Sequence, residues 1–130
     1  MQVKLIKLQI FKDSSGSLLP ISFKKDLPLS IKRLFIIFGK KNHVRSKHAH
    51  IKSKQIYIPL KGKIKILVNK KKTFYLEKKN KTALFVPENN WTEIFFNKDD
   101  DQLLVLTNTE YFKNDYIRNY SKFLHHKKNY

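Results

Sequence analysis

Short runs in which apolar and polar residues alternate with a period of two set the tightest limit on what this chain can fold into. Ile6, Leu8 and Ile10 alternate with Lys7 and Gln9, and Ile64, Ile66 and Val68 stand between Lys63, Lys65 and Leu67. Successive side chains of a strand point to opposite faces, so this spacing predicts strands with one buried face. Further strand-like runs fall at 18–23, 31–38, 48–60, 73–76, 83–86, 91–96 and 103–107, separated by turn-like stretches such as DSSG, ENN and NKDDD. Many short strands at even spacing predict an all-β antiparallel sandwich, jelly roll or barrel. Only the end reads as helix. There Asn114 or Asp115 is the expected N-cap, and Tyr116, Ile117, Tyr120, Phe123 and Leu124 form an apolar stripe at helical spacing.

Composition narrows the function classes. A chain of 130 residues with 41% apolar content is long enough to bury one core, so residues 1–130 are expected to form a single domain. Cysteine is absent, which removes disulfides, thiolate nucleophiles and Cys-based zinc sites, and permits a reducing cytoplasm. No apolar run approaches membrane-spanning length, and Lys and Gln interrupt the apolar residues of the N-terminus, so the expectation is a cytoplasmic protein without a membrane partner. The net charge of +18 would ordinarily raise nucleic acid as a partner. Arginine, however, occurs only at Arg33, Arg45 and Arg118, and the lysines are spread along the whole chain. Bidentate phosphate and base contacts favour Arg, so this excess reads as a solvated lysine surface and no nucleic-acid partner is expected.

His48-Ala49-His50 is the most informative triplet. On a strand, residues i and i+2 share a face, which would set two imidazoles side by side in one cavity. A group that titrates near about 6.5 both accepts and returns protons at neutral pH, as a general acid–base pair requires. The plainer alternative is two histidines on a solvated strand face. A metal site is the third, and ligand counting opposes it: downstream stand only Gln55, a poor ligand, and Glu88, while His43 is in a loop and His125 and His126 are in the tail. No metal and no cofactor is expected. Arg45, where the chain enters the strand, could meet a phosphate, and Gln55 can donate and accept hydrogen bonds. Trp91 and the tyrosines Tyr57, Tyr75 and Tyr111 could stack on a base or sugar, although a lone Trp among alternating apolar residues is more often core.

The string RSKHAHIKSKQIYIPLKGKIKI, 45–66, resembles the sugar 3,4-ketoisomerase family of cupins, whose members carry an arginine, HAH, Gln and a strand–Gly–strand turn. IKRLFII at 31–37, VPENNW at 86–91 and NDYIRNYSKFL at 114–124 also resemble that family, so the likeness runs from about Phe11 to Leu124. The resemblance implies a cupin jelly roll, a homodimer that exchanges N-terminal strands, and a dTDP-linked 4-keto-6-deoxyhexose as substrate, in the making of 3-amino sugars for surface polysaccharide. It implies that His50 removes the C3 proton, that an enediolate forms and that a proton returns at C4, with His48 as acid or oxyanion donor. Arg33, Arg45, Gln55 and Trp91 are the implied substrate-binding residues. Three departures stand out: Ser15 where the family has an arginine, Ile36 where a substrate-facing tyrosine is expected, and Ser46 for the usual glycine. The competing expectation they raise is a degenerate cupin that binds a nucleotide sugar, or partners another sugar-modifying enzyme, without turnover.

Overall fold

The computed structural model describes residues 2–129. Twelve strands and two helices follow in chain order: β1 (Lys4–Lys7), β2 (Phe11–Asp13), β3 (Gly16–Leu18), α1 (Phe23–Asp26), β4 (Arg33–Phe38), β5 (Val44–His50), β6 (Gln55–Lys61), β7 (Ile64–Val68), β8 (Lys72–Leu76), β9 (Thr82–Val86), β10 (Thr92–Phe96), β11 (Gln102–Thr107), β12 (Tyr116–Ile117) and α2 (Tyr120–Lys128). They build two five-stranded sheets, in the orders β1-β9-β6-β11-β4 and β12-β5-β10-β7-β8, while β2 and β3 pair as a separate hairpin. All pairings are antiparallel, so the chain is the expected β-sandwich with a short C-terminal helix.

The two sheets differ in a way their sequences explain. In β7, Ile64, Ile66 and Val68 are buried against the opposite sheet, whereas Lys63 and Lys65 lie outside over the rings of Tyr75 and Phe95. That is alternation with one wet face. Strands β6 and β11, by contrast, are nearly continuous apolar runs, and both of their faces are covered. Tyr57, Leu103 and Val105 join the core between the sheets. Ile56, Ile58 and Leu106 pack on the other side under Leu19, Ile21, Leu27, Leu29 and Ile31. A strand buried on both faces loses its polar alternation.

This covering layer corrects the expected strand at 18–23. Pro20 has no N–H for a ladder, β3 stops at Leu18, and Phe23–Asp26 makes one helical turn whose Asp26 accepts a hydrogen bond from the Ser22 amide at 2.8 Å. The run 48–60 is likewise two strands, β5 and β6, with a turn at 51–54 between them. At the other end of β6, Gly62 has φ +85° and an added Cβ there would lie 2.1 Å from the Asp101 carboxylate, so the β6–β7 turn needs glycine. The C-terminal helix starts later than expected. Asn119 is its N-cap, accepting from the Lys122 amide, because Asp115 is engaged elsewhere and Tyr116–Ile117 pair with β5 as a short strand.

Candidate active site

Strand β5 carries the histidines, and a local irregularity aims them. Ser46 and Lys47 both have positive φ, +74° and +53°, and the register with β10 shifts between Thr92 and Glu93 opposite them. A bulge of this kind re-aims side chains at the cost of unfavourable backbone angles. His48 and His50 then face the same side, into a cavity of about 630 Å³ that opens between the sheets and is also lined by Arg45, Gln55, Tyr116 and Arg118. Their ring centroids are 4.9 Å apart, edge to face, and the Tyr116 ring lies 4.9 Å from His48 and 4.6 Å from His50. The Arg118 guanidinium stacks over Tyr116 at 4.6 Å. The expectation of two imidazoles in one cavity therefore matches the geometry.

The two imidazoles are held differently. Nδ1 of buried His50 is 2.6 Å from Oδ2 of Asp115, whose other oxygen accepts the backbone N–H groups of Lys52 at 2.6 Å and Ser53 at 3.3 Å. Burial raises the Asp115 carboxyl, but the hydrogen bonds from His50, Ser53 and the Lys52 amide outweigh it and hold the group at about 2. An ionised carboxylate accepts only, so Nδ1 of His50 carries a proton and the neutral tautomer has its lone pair on Nε2, which has no partner among the described residues. His48 donates Nδ1–H to the Ser46 carbonyl at 2.9 Å, and burial, with the neighbouring His50, pushes it down to about 4. At neutral pH His48 is an uncharged acceptor at Nε2. That changes the expected part of an acid or oxyanion donor, since its one N–H is committed to the backbone.

The remaining expected residues separate into three groups. Gln55 is buried on the cavity wall, where its Oε1 accepts from the Tyr57 hydroxyl at 2.8 Å, and Arg45 is exposed at the mouth. Arg33 lies on the inward face of β4 beyond the cavity, its guanidinium 5.0 Å from the Phe35 ring and 5.6 Å from the Tyr111 ring. Trp91 is a correction to the expected substrate contact: it is 4% exposed and packs with Ala49 and Phe123. Ala49 points opposite to the two histidines, so a ring resting on it belongs to the core behind the strand. The departures are also placed. Ser15 turns back on Asp13 in the exposed β2–β3 hairpin, and Ile36 is an exposed residue at the cavity rim.

Asp115, Tyr116 and Arg118 have no site role in the sequence, where NDYIR resembles the start of a helix with Asp115 as a capping candidate and Tyr116 on its apolar stripe. The available signal was the pairing of an acid with a buried histidine, visible only once Asp115 follows β11 back across β5. Among the described residues no three His, Cys, Asp or Glu side chains are grouped as a metal set.

Two imidazoles facing one cavity inside a cupin-type antiparallel jelly roll, one of them backed by a carboxylate, are groups able to accept and return protons. The chain belongs to the family described as "FdtA: WxcM-like, C-terminal", which it matches over residues 1–128. It is 32% identical over 126 residues to the TDP-4-oxo-6-deoxy-alpha-D-glucose-3,4-oxoisomerase of Aneurinibacillus thermoaerophilus, covering 95% of this chain and 91% of that protein. Among solved structures it is similar to a sugar 3,4-ketoisomerase from Thermoanaerobacterium thermosaccharolyticum in complex with TDP, at 34% identity and a TM-score of 0.91, covering 98% of this chain and 95% of that one. A 3,4-ketoisomerase from Helicobacter canadensis is 31% identical with a TM-score of 0.91, covering 98% of each chain.

Proposed function

We propose that this protein moves the keto group between C4 and C3 of a dTDP-linked 4-keto-6-deoxyhexose, with His50 as the base. The protein is a 3,4-ketoisomerase of TDP-sugars, and the site supplies what such a reaction requires. The observation that carries the residue assignment is the Asp115–His50 pair, which ties up Nδ1 of a cavity-lining imidazole and leaves its buried Nε2 without a partner among the described residues.

The chemistry follows from that nitrogen. His50 Nε2 takes the proton from C3, which is acidified by the neighbouring C4 carbonyl. The C–H electron pair becomes the C3=C4 double bond, and the carbonyl electrons move onto O4, giving an enediolate. Protonation at C4, loss of the O3 proton as C3=O forms, and protonation of O4 complete the exchange, so that one carbon-bound and one oxygen-bound proton each move by one position. His48, uncharged and with an acceptor nitrogen, is suited to take the O3–H hydrogen bond. Arg45 and Arg118 are the cations at the cavity that stabilise the developing charge and the diphosphate. Asp115 prepays the imidazolium that forms on His50, in the manner of a buried carboxylate behind a catalytic histidine.

The same proposal includes a homodimer with exchanged N-terminal strands, acting in the cytoplasm. Its support is an apolar row left open on the edge strand β4, where Leu34, Ile36 and Phe38 are 54%, 39% and 61% exposed. The separate β2–β3 hairpin also carries Phe11 and Leu18, both more than half exposed. Large apolar side chains gathered on an edge strand mark a surface that another chain covers.

The test is proton NMR of the purified protein with dTDP-4-keto-6-deoxyglucose in D₂O, beside a His50→Asn variant and a protein-free control. A 3-keto product with ring deuterium, lost in the variant, is the expected result. A wild-type spectrum identical to the control with dTDP still bound would transfer the reading to a non-catalytic nucleotide-sugar binder.

A further inference from the structure

Two histidines two residues apart on one strand begin as chemical equals. Asp115 fixes one of them; what distinguishes the other lies on its own strand. Ser46 meets both ring nitrogens of His48: its carbonyl oxygen accepts Nδ1–H at 2.9 Å, and its Oγ lies 3.4 Å from Nε2. The hydroxyl is itself held, since Ser46 Oγ is 2.6 Å from Oγ1 of Thr92, a residue 2% exposed on β10. Thr92 Oγ1 is in turn 3.5 Å from the buried Tyr57 hydroxyl, which donates to Gln55. A line of hydroxyls thus joins His48 to Gln55 across the cavity wall.

The backbone at this point is informative. Ser46 has φ +74° and Lys47 φ +53°, two successive non-glycine residues in the left-handed region. Glycine would adopt the first of these without strain, and a serine there is disfavoured unless its side chain gains a contact. The contact it gains is the one between Thr92 and His48, inside the cavity.

We propose that Ser46 is a positioning residue for His48: its carbonyl and hydroxyl grip the ring at both nitrogens, keeping it neutral and oriented, so that His50 alone acts as the free base. The proton inventory is consistent. Thr92 Oγ1–H donates to Ser46 Oγ, Ser46 Oγ–H donates to His48 Nε2, and His48 Nδ1–H donates to the Ser46 carbonyl, so each hydroxyl uses one proton. A substrate hydroxyl that donates to Nε2 replaces the long 3.4 Å contact, the Ser46 proton rotates to Thr92 Oγ1, and the Thr92 proton turns to the Tyr57 hydroxyl oxygen, which still donates to Gln55. The groups that also bear on His48 are His50 and Arg45 on its strand, Tyr57 on β6, Tyr116 and Arg118 after β11, and Asp115 behind His50. None of these changes when only the Ser46 side chain is altered.

This inference rests on the ketoisomerase reading for its effect on turnover, but not for its effect on the ring. The experiment compares Ser46→Ala, which removes the hydroxyl and keeps the backbone strain, with Ser46→Gly, which removes both and therefore folds at least as well. Imidazole resonances of His48 are titrated by NMR in each variant and in the native protein. A donor to Nε2 stabilises the neutral ring, so its loss should raise the His48 midpoint by about half a pH unit to one pH unit in both variants. Turnover should fall roughly three- to tenfold in kcat, by the same hydrogen-bond reasoning, with the acid limb of the rate profile moving upward. A structural role alone would alter the melting temperature and leave the His48 midpoint in place, and that result overturns the proposal. If the midpoint moves while the native protein turns over no substrate, the ring assignment stands and the isomerase reading fails.

Discussion

Replacing Asp115 by asparagine exposes the mechanism most directly, because the surroundings dictate how the new amide must sit. The position of Oδ1 faces two backbone donors, the amides of Lys52 at 2.6 Å and Ser53 at 3.3 Å. An NH₂ group there would meet N–H against N–H, so the asparagine oxygen takes that side and its NH₂ turns toward His50 Nδ1, now 2.6 Å away. Two donors cannot share that contact, and His50 resolves the conflict by moving its proton to Nε2. The nitrogen proposed to act as the base then carries a hydrogen and cannot remove one. The same carboxylate-to-amide change in the Ser–His–Asp triad costs about 10⁴ in kcat through the wrong tautomer. For Asp115→Asn we expect a loss of roughly 10³ to 10⁴ in kcat, with KM changed far less. The assay is initial-rate NMR turnover, alongside nitrogen-15 spectra that report the tautomer of His50. Loss of less than tenfold, or a tautomer unchanged from the native protein, would refute this account of the base.

Other consequences can be measured more simply. His48 is held near 4 against an ordinary 6.5, so below pH 6.5 the unfolded chain binds a proton that the folded one refuses. Stability should therefore fall between pH 6.5 and about 4, by roughly 2 kcal/mol after allowing for the ring's partial exposure, and His48→Gln should flatten that part of a urea-midpoint profile. Asp115, lowered from 3.8 to about 2, adds stability above 3.8 that is lost as the pH falls through 2, so its contribution disappears at more acid values than that of His48. Replacing Ile36 and Phe38 together by lysine should convert the proposed dimer to monomer in size-exclusion chromatography with light scattering, since each side chain forfeits about 1.5–3 kcal/mol of apolar burial, and a native protein that elutes as a monomer would refute the dimer. Phe123→Ala should cost about 3–5 kcal/mol in urea unfolding, because the ring is 1% exposed and joins α2 to Trp91 and Ala49.

What the sequence made legible, and what it hid, divides along range. Alternation over Ile64, Ile66 and Val68 and the shared face of His48 and His50 are local facts of strand geometry, readable from spacing alone. The segment 19–31 was harder, since its apolar residues have neither period: they cover the outer face of β6 and β11 and answer to a surface built from residues far along the chain. The false helix start has the same origin. NDYIR carries good capping residues, but Asp115 is taken by His50, 65 residues earlier, and Tyr116 and Ile117 by the edge of β5, so the helix waits for Asn119. Trp91 misled for the opposite reason, because an aromatic beside a cavity and an aromatic behind its wall have identical local sequence.

The departures that could have spelled a dead enzyme bear on different parts of the site. Ser15, which stands in for an arginine, and Ile36, which stands in for a tyrosine, sit on the exposed hairpin and at the cavity rim, away from the proton-transfer nitrogen. The Asp115–His50 pair is buried, and its side-chain polar atoms are hydrogen-bonded except His50 Nε2, the atom proposed as the base. Burying an ionised carboxylate is costly unless its partners are in place. A site that only held a nucleotide sugar would have no use for that expense, whereas a base that must deprotonate carbon needs its lone pair fixed on one nitrogen and its cation stabilised in advance. The buried Asp115–His50 pair, set against Ser15 on the exposed hairpin and Ile36 at the rim, therefore favours the proposed isomerase over a non-catalytic binder, while Ser46, the third departure, bears on the orientation of His48 and leaves that pair intact.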